Sequence, residues 1–161
     1  MIKVALVDDD VTEREHLQEM FARLNDEIPQ SLSVEPYESG EELLRAFDDS
    51  YQLLCLDIEF AADDPTQNGI ELAKKIRRTN TTVMIIFITN LAQMAISGYE
   101  VRAFDFILKP LSYGDFAMKL KSAIGFLQER TVSEIHPMIG QEIAQLKFKI
   151  DTNCAASRVV K

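Results

Sequence analysis

A chain of 161 residues, 47% of them hydrophobic, is long enough for one ordinary domain with a packed core and a fragment of a second, so it needs no metal or disulfide framework to hold it. Its net charge of −9 and pI near 4.7 argue against nucleic-acid binding by this chain as it stands, because that needs a basic surface. Two cysteines, Cys55 and Cys154, make neither a metal spacing nor a disulfide pattern, and no charged leader or long apolar run is present, so a soluble, cytoplasmic protein is expected.

The elements read off in order. Ile2 to Val7 is an apolar, β-branched run broken only by Lys3, a first strand, and it ends in Asp8-Asp9-Asp10. Leu17, Met20, Phe21 and Leu24 then repeat at helical spacing, with Asp10 or Thr12 as N-cap and Pro29 closing the unit. Leu32 to Tyr37 is a weaker strand, and Pro36 within it predicts an edge position. Ser39-Gly40-Glu41-Glu42 has capping-box spacing and opens a short helix through Leu43, Leu44 and Phe47. Leu53-Leu54-Cys55-Leu56 is an unbroken apolar run, the habit of a strand buried on both faces, and it runs into Asp57. Cys55 in that run is most simply a small buried hydrophobe.

Residues 59 to 68 are a polar loop that Gly69 ends, and Ile70, Leu72, Ala73 and Ile76 mark the next helix. Val83 to Ile88 is another buried strand ending at Thr89, followed by a short helix from about Leu91 to Gly98. Phe104 to Leu108 is a last strand ending at Lys109-Pro110, and Tyr113 to about Gln128 is a final amphipathic helix. Five strands alternating with five helices predict an α/β fold: a doubly wound parallel sheet with helices on both faces. The stretch after Gln128 differs in composition: residues 129–161 carry a net charge of +1, so the acidity belongs to the main domain.

Four of these strands end in reactive side chains: Asp8 and Asp9, Asp57, Thr89 and Lys109. In a parallel sheet those ends share one rim, where open α/β folds bind ligands. Three carboxylates there repel unless a cation neutralises them, and Mg²⁺ is held by one or two carboxylates with waters and phosphate oxygens. A carboxylate can accept a phosphoryl group as an acyl phosphate, and Lys109 and Thr89 can bond its oxygens. Each part alone has a plainer reading. The aspartates could cap a helix, Asp57 and Thr89 could merely end strands, and Lys109 could be a surface lysine; it is their joint occurrence that points to chemistry.

Val7-Asp8-Asp9-Asp10, Leu56-Asp57, Ile88-Thr89 and Leu108-Lys109-Pro110 together resemble the response-regulator receiver domain of two-component systems over residues 1 to 128. The resemblance implies a flavodoxin-like sheet of strand order 2-1-3-4-5. It implies Asp57 as phosphoacceptor, and Mg²⁺ held by Asp8, Asp9, Asp57 and the backbone carbonyl of Glu59. It also implies Thr89 and Lys109 on the phosphoryl oxygens, Phe106 as the switch aromatic, and a cis Lys109–Pro110 peptide. The partner implied is a sensor histidine kinase, docking near His16 and Met20, with homodimerisation on phosphorylation, no membrane contact, and no enzymatic turnover beyond slow self-dephosphorylation. Gly98 to Pro110 and Asn68 to Leu72 are most similar to regulators with a LytTR DNA-binding domain. Residues 148–161 resemble the truncated start of such a domain, with 129–147 as linker, so DNA would be bound only through that C-terminal part.

Three departures stand out: a long loop between Asp57 and Gly69, Asn90 after Thr89, and phenylalanine rather than tyrosine at position 106. Two rival readings remain open at this level. Asp8-Asp9-Asp10-Val11-Thr12 also fits the nucleophile motif of haloacid-dehalogenase-type phosphatases, with Asp8 as nucleophile and Asp10 as general acid, though that leaves Asp57 without a role. A receiver-like interaction module that never takes up phosphate is the other.

Overall fold

Continuous apolar runs form the middle of the sheet. The computed structural model describes residues 1–60 and 68–131. The strands are β1 (Ile2–Val7), β2 (Leu32–Tyr37), β3 (Leu53–Leu56), β4 (Met84–Thr89) and β5 (Asp105–Leu108). They pair in parallel in the order β2-β1-β3-β4-β5. Every residue of β3 and β4 is buried, as a strand covered on both faces requires. The edge strand β2 is mostly half-exposed and accommodates Pro36, whose missing N–H costs no ladder bond where it faces away from the sheet.

The helices are α1 (Val11–Glu27), α2 (Gly40–Ala46), α3 (Gly69–Arg77), α4 (Ala95–Glu100) and α5 (residues 113–131). Ala5, Val7, Leu54, Leu56, Ile85 and Phe87 join one core with Leu43 of α2 and Ile70, Leu72, Ala73 and Ile76 of α3. Strand alternation turns Val4, Leu6, Leu53, Cys55, Ile86 and Ile88 to the other face, and all are buried. Phe21 of α1 meets Phe116 of α5 edge-to-face at 5.0 Å. Packing divides the chain between Ala123 and Ile124, within α5, and the sheet belongs to the first unit.

Side-chain caps set three helix starts. Asp10 accepts from the Thr12 and Glu13 N–H groups, Ser39 from Glu42, and Asn68 from Glu71. The Glu42 carboxylate accepts from the Glu38 N–H rather than from that of Ser39, so the predicted capping box closes one residue early. The helix expected from Leu91 to Gly98 is a 3-10 turn, Ala92–Met94, followed by α4, which runs on to Glu100. No side chain caps either start, so nothing local fixes an α-helical first turn there. The helix expected through Leu43, Leu44 and Phe47 ends at Ala46 with Phe47 as its C-cap, and Leu43 is buried while Leu44 is 37% exposed. The final helix extends past Gln128 through residue 131. The rest of the linker and the tail at 148–161 lie outside the described residues, as does Cys154.

Gly69 shows how tightly the fold holds the end of β3. A Cβ built there would lie 2.1 Å from the Asp57 carbonyl oxygen and 2.9 Å from the Ile58 Cα, all backbone atoms that cannot rotate away. Gly69→Ala should therefore lower stability by about 1–3 kcal/mol, the usual cost of overpacking. Urea unfolding followed by circular dichroism measures it, and an unchanged midpoint would mean the two segments are not this close.

Candidate functional site

The strand registers bring the reactive ends to one rim. Val7 pairs with Leu56 and Thr89 with Leu108, so Asp8, Asp57, Thr89 and Lys109 stand at or one residue beyond aligned strand ends. The Asp57 N–H donates to the Val7 carbonyl at 2.9 Å and the Lys109 N–H to the Thr89 carbonyl at 3.0 Å. Backbone pairing thus continues into the site residues themselves.

Lys109 draws two of the acids together. Its Nζ lies 2.7 Å from Asp8 Oδ2 and 3.0 Å from Asp57 Oδ2, with Glu13 Oε2 at 4.0 Å. Each bridged carboxylate uses its other oxygen on the backbone: Asp8 Oδ1 accepts from the Asp10 N–H at 3.0 Å, and Asp57 Oδ1 from the Glu59 N–H at 3.1 Å. Asp8 is 1% exposed and Asp57 6%. One oxygen from each of Asp8, Asp9 and Asp57 lies within 4.8 Å of the others, while Asp9 itself is exposed. Three carboxylates converging around one open acid suit a hard divalent cation.

Electrostatics follow burial. Desolvation pushes the Asp8 carboxyl above its ordinary value and the Asp57 charge adds to this, against the lowering effects of Lys109 and the Asp10 N–H. Burial works against the Lys109 charge, but bonds to Asp8 and Asp57 outweigh it and hold the ammonium above its ordinary value. Burial alone drives the Cys55 thiol upward, so that cysteine is an inert core residue.

The other predicted residues fall around this centre. Thr89 is fully buried and its hydroxyl accepts from the Leu91 N–H at 3.2 Å. Glu59 is exposed, with its N–H on Asp57. Phe106 lies 5.0 Å from the Phe87 ring, and its edge packs so closely on α4 that a Cβ at Gly98 would fall 2.4 Å from it. The Lys109–Pro110 peptide is cis. His16 is exposed on α1. Asp10 serves as the α1 cap, which ties up the group the phosphatase reading needs as general acid. Of the loop at 59–68, residues 61–67 lie outside the described residues.

Sequence reasoning missed Arg14 and the close fit of Gly98 to Phe106. Arg14 is 8% exposed, donates from Nη1 to the Asp8 carbonyl at 2.6 Å, and pairs with Glu38 at 3.2 Å. Its signal was a charged residue three positions before Leu17, on the inward stripe of α1.

A parallel sheet with an acid cluster and a lysine at its carboxyl rim is that of an open α/β domain with a ligand site at the strand ends, and the comparisons with known proteins narrow the class. The family model described as response regulator receiver domain matches residues 4–121. The chain belongs to that family. Sensory transduction protein LytT of Bacillus subtilis is 30% identical over 121 residues, 75% of this chain and 47% of that protein. Sensory transduction protein LytR of Staphylococcus epidermidis is 34% identical over 110 residues, 68% of this chain and 40% of that one. The chain thus spans about half the length of the curated relatives it matches. Among solved structures, the non-phosphorylated HemR receiver domain of Leptospira biflexa has a TM-score of 0.65 at 27% identity, covering 77% of this chain and 94% of that one. TrrA of Thermotoga maritima, solved in complex with Mg²⁺ and BeF, has a TM-score of 0.60 at 27% identity, covering 76% and 99%. Among the described residues no helix is long and apolar enough to cross a membrane.

The raised Asp8 pKa gives a signed prediction. The native state binds this proton more tightly than the unfolded chain, so Asp8 favours the fold at low pH and costs stability once the pH rises past its folded value. With a chelator present, Asp8→Asn should melt higher than wild type near pH 8. The gain should shrink as the pH falls and wild-type Asp8 takes up its proton. Thermal melts at a series of pH values measure it, and a gain that grows on acidification would contradict the assignment.

Proposed function

We propose that this domain takes a phosphoryl group from a sensor histidine kinase onto Asp57 and thereby switches the output of a transcriptional regulator. The observation that carries the reading is the pairing of two buried carboxylates, Asp8 and Asp57, through one lysine, with Asp9 completing a three-acid cluster. Burying these charges costs desolvation that their pairing only partly offsets, so stability alone gives no reason for the cluster. Mg²⁺ suits the donor set of Asp8, Asp9, Asp57 and the Glu59 carbonyl, and when bound it would neutralise the acids and the incoming phosphoryl oxygens.

The chain's own residues then have distinct tasks. An Asp57 carboxylate oxygen attacks the phosphorus of a phosphohistidine. The P–N bond breaks as the acyl P–O bond forms, and the departing imidazole takes its proton from solvent. Lys109 turns its ammonium from the carboxylates to a phosphoryl oxygen, and the Thr89 hydroxyl leaves the Leu91 N–H to donate to another. The backbone N–H of Glu59 holds the Asp57 carboxylate in place during attack. Thr89 and Lys109 end β4 and β5, so moving them shifts the ground on which Phe106 and α4 rest. Partners that prefer the shifted face of α4, β5 and α5, a second copy among them, would bind it more tightly. A DNA-binding LytTR-type output fits the LytT and LytR relatives, and would lie in the C-terminal part of such a protein.

The test treats the protein with a small phosphodonor and Mg²⁺ and maps the modified residue by mass spectrometry. Label on Asp57, absent from Asp57→Asn, is expected. Label on Asp8 would establish the phosphatase reading instead, and no label with no Mg²⁺ binding would leave an inert interaction module. Lys109→Met should still bind Mg²⁺ and accept phosphate at Asp57, yet lose most of the response of α4 to it, read as amide chemical-shift changes on phosphorylation. A full response in that variant would remove Lys109 from the switch.

The close fit at Gly98 gives a second check. Gly98→Ala should part the Phe106 ring from α4, because the added methyl would fall 2.4 Å from the ring edge. The unphosphorylated variant should show α4 and β5 shifts that wild type shows only when phosphorylated. Unchanged spectra would mean the ring position does not couple to the output face.

A further inference from the structure

We propose that Arg14 is a positioning residue for the divalent cation, acting through the peptide that joins Asp8 to Asp9. This rests on the reading of Asp8, Asp9 and Asp57 as a cation site. Arg14 continues the inward stripe of α1 that Leu17, Phe21 and Leu24 form, where an apolar side chain would pack without cost. A guanidinium that is only 8% exposed needs strong partners, and its shortest bond, 2.6 Å, goes to the Asp8 carbonyl. The other end rests on Glu38, whose side chain is 77% exposed and adds little.

The Asp8 carbonyl has reason to need that donor. The ladder between β1 and β3 ends with the Asp57 N–H on the Val7 carbonyl. The Asp8 N–H goes to the Tyr37 carbonyl and Asp8 Oδ1 to the Asp10 N–H, so Arg14 holds the remaining polar group of this residue's backbone. A buried carbonyl left without a donor would turn toward water. The plane that turns is the Asp8–Asp9 peptide, and Asp9 turns with it. Asp9 is the exposed acid, and one of its oxygens lies within 4.8 Å of those from Asp8 and Asp57. Arg14 therefore sets the geometry of the acid pair while touching neither carboxylate in these contacts.

Calorimetric binding of Mg²⁺ alone to the whole chain tests this, with melts in chelator recorded alongside. Arg14→Met and Arg14→Gln should bind Mg²⁺ about tenfold more weakly or worse, the usual effect of losing an outer-shell partner. Glu38→Gln should stay within about twofold of wild type, because the bond to the Asp8 carbonyl survives. A merely structural arginine would lower the melting temperature and leave Mg²⁺ affinity alone. Either folded Arg14 variant binding Mg²⁺ as wild type does would overturn the proposal, and Arg14→Gln decides if Arg14→Met does not fold. Wild type that binds no Mg²⁺ would instead overturn the cation site itself, and the role of Arg14 with it.

Discussion

The bridge from Lys109 to Asp8 and Asp57 is the interaction on which the rest of the molecule depends. Two carboxylates almost wholly out of water would repel one another and lose their hydration. The ammonium 2.7 and 3.0 Å away offsets both terms. The same lysine sits at the end of β5, an edge strand, while the acids sit at the ends of β1 and β3 near the centre. The bridge therefore ties the edge of the sheet to its middle.

That arrangement explains why the strand ends are fixed so firmly. The Asp57 and Lys109 amides are paired to neighbouring strands, Gly69 lies against the Asp57 carbonyl, and Arg14 holds the Asp8 carbonyl. A cation or phosphoryl group then meets acids that need little reorganisation. Around α4 the opposite holds. Its start and the preceding turn have no side-chain cap, and Gly98 leaves the Phe106 ring as its close neighbour. In the proposed function, Thr89, Lys109 and Phe106 join this firmly held site to the weakly fixed α4.

Much of this was legible in the sequence because the signals were continuous. Leu53 to Leu56 and Ile85 to Ile88 are apolar without a break, as a strand covered on both faces is, so their ends and the acids beyond them could be placed. Pro36 marked the edge strand for an equally local reason. The α4 region was misread because its apolar residues repeat over too short a span, and nothing in the sequence marks a 3-10 turn without a cap. Arg14 escaped because a stripe counted in apolar residues passes over a charge that faces inward. The approach of Gly98 to Phe106 joins a helix to a strand, and no spacing along the chain encodes it.

A crystal structure with Mg²⁺ and beryllofluoride, a stand-in for the phosphoryl group, tests the central claim most directly. The account predicts the analogue on an Asp57 oxygen, the Lys109 ammonium moved from Asp8 to the analogue, and Phe106 shifted from its present place beside Gly98. An analogue held elsewhere, or a Lys109 still bridging Asp8 and Asp57 beside an occupied site, would contradict it.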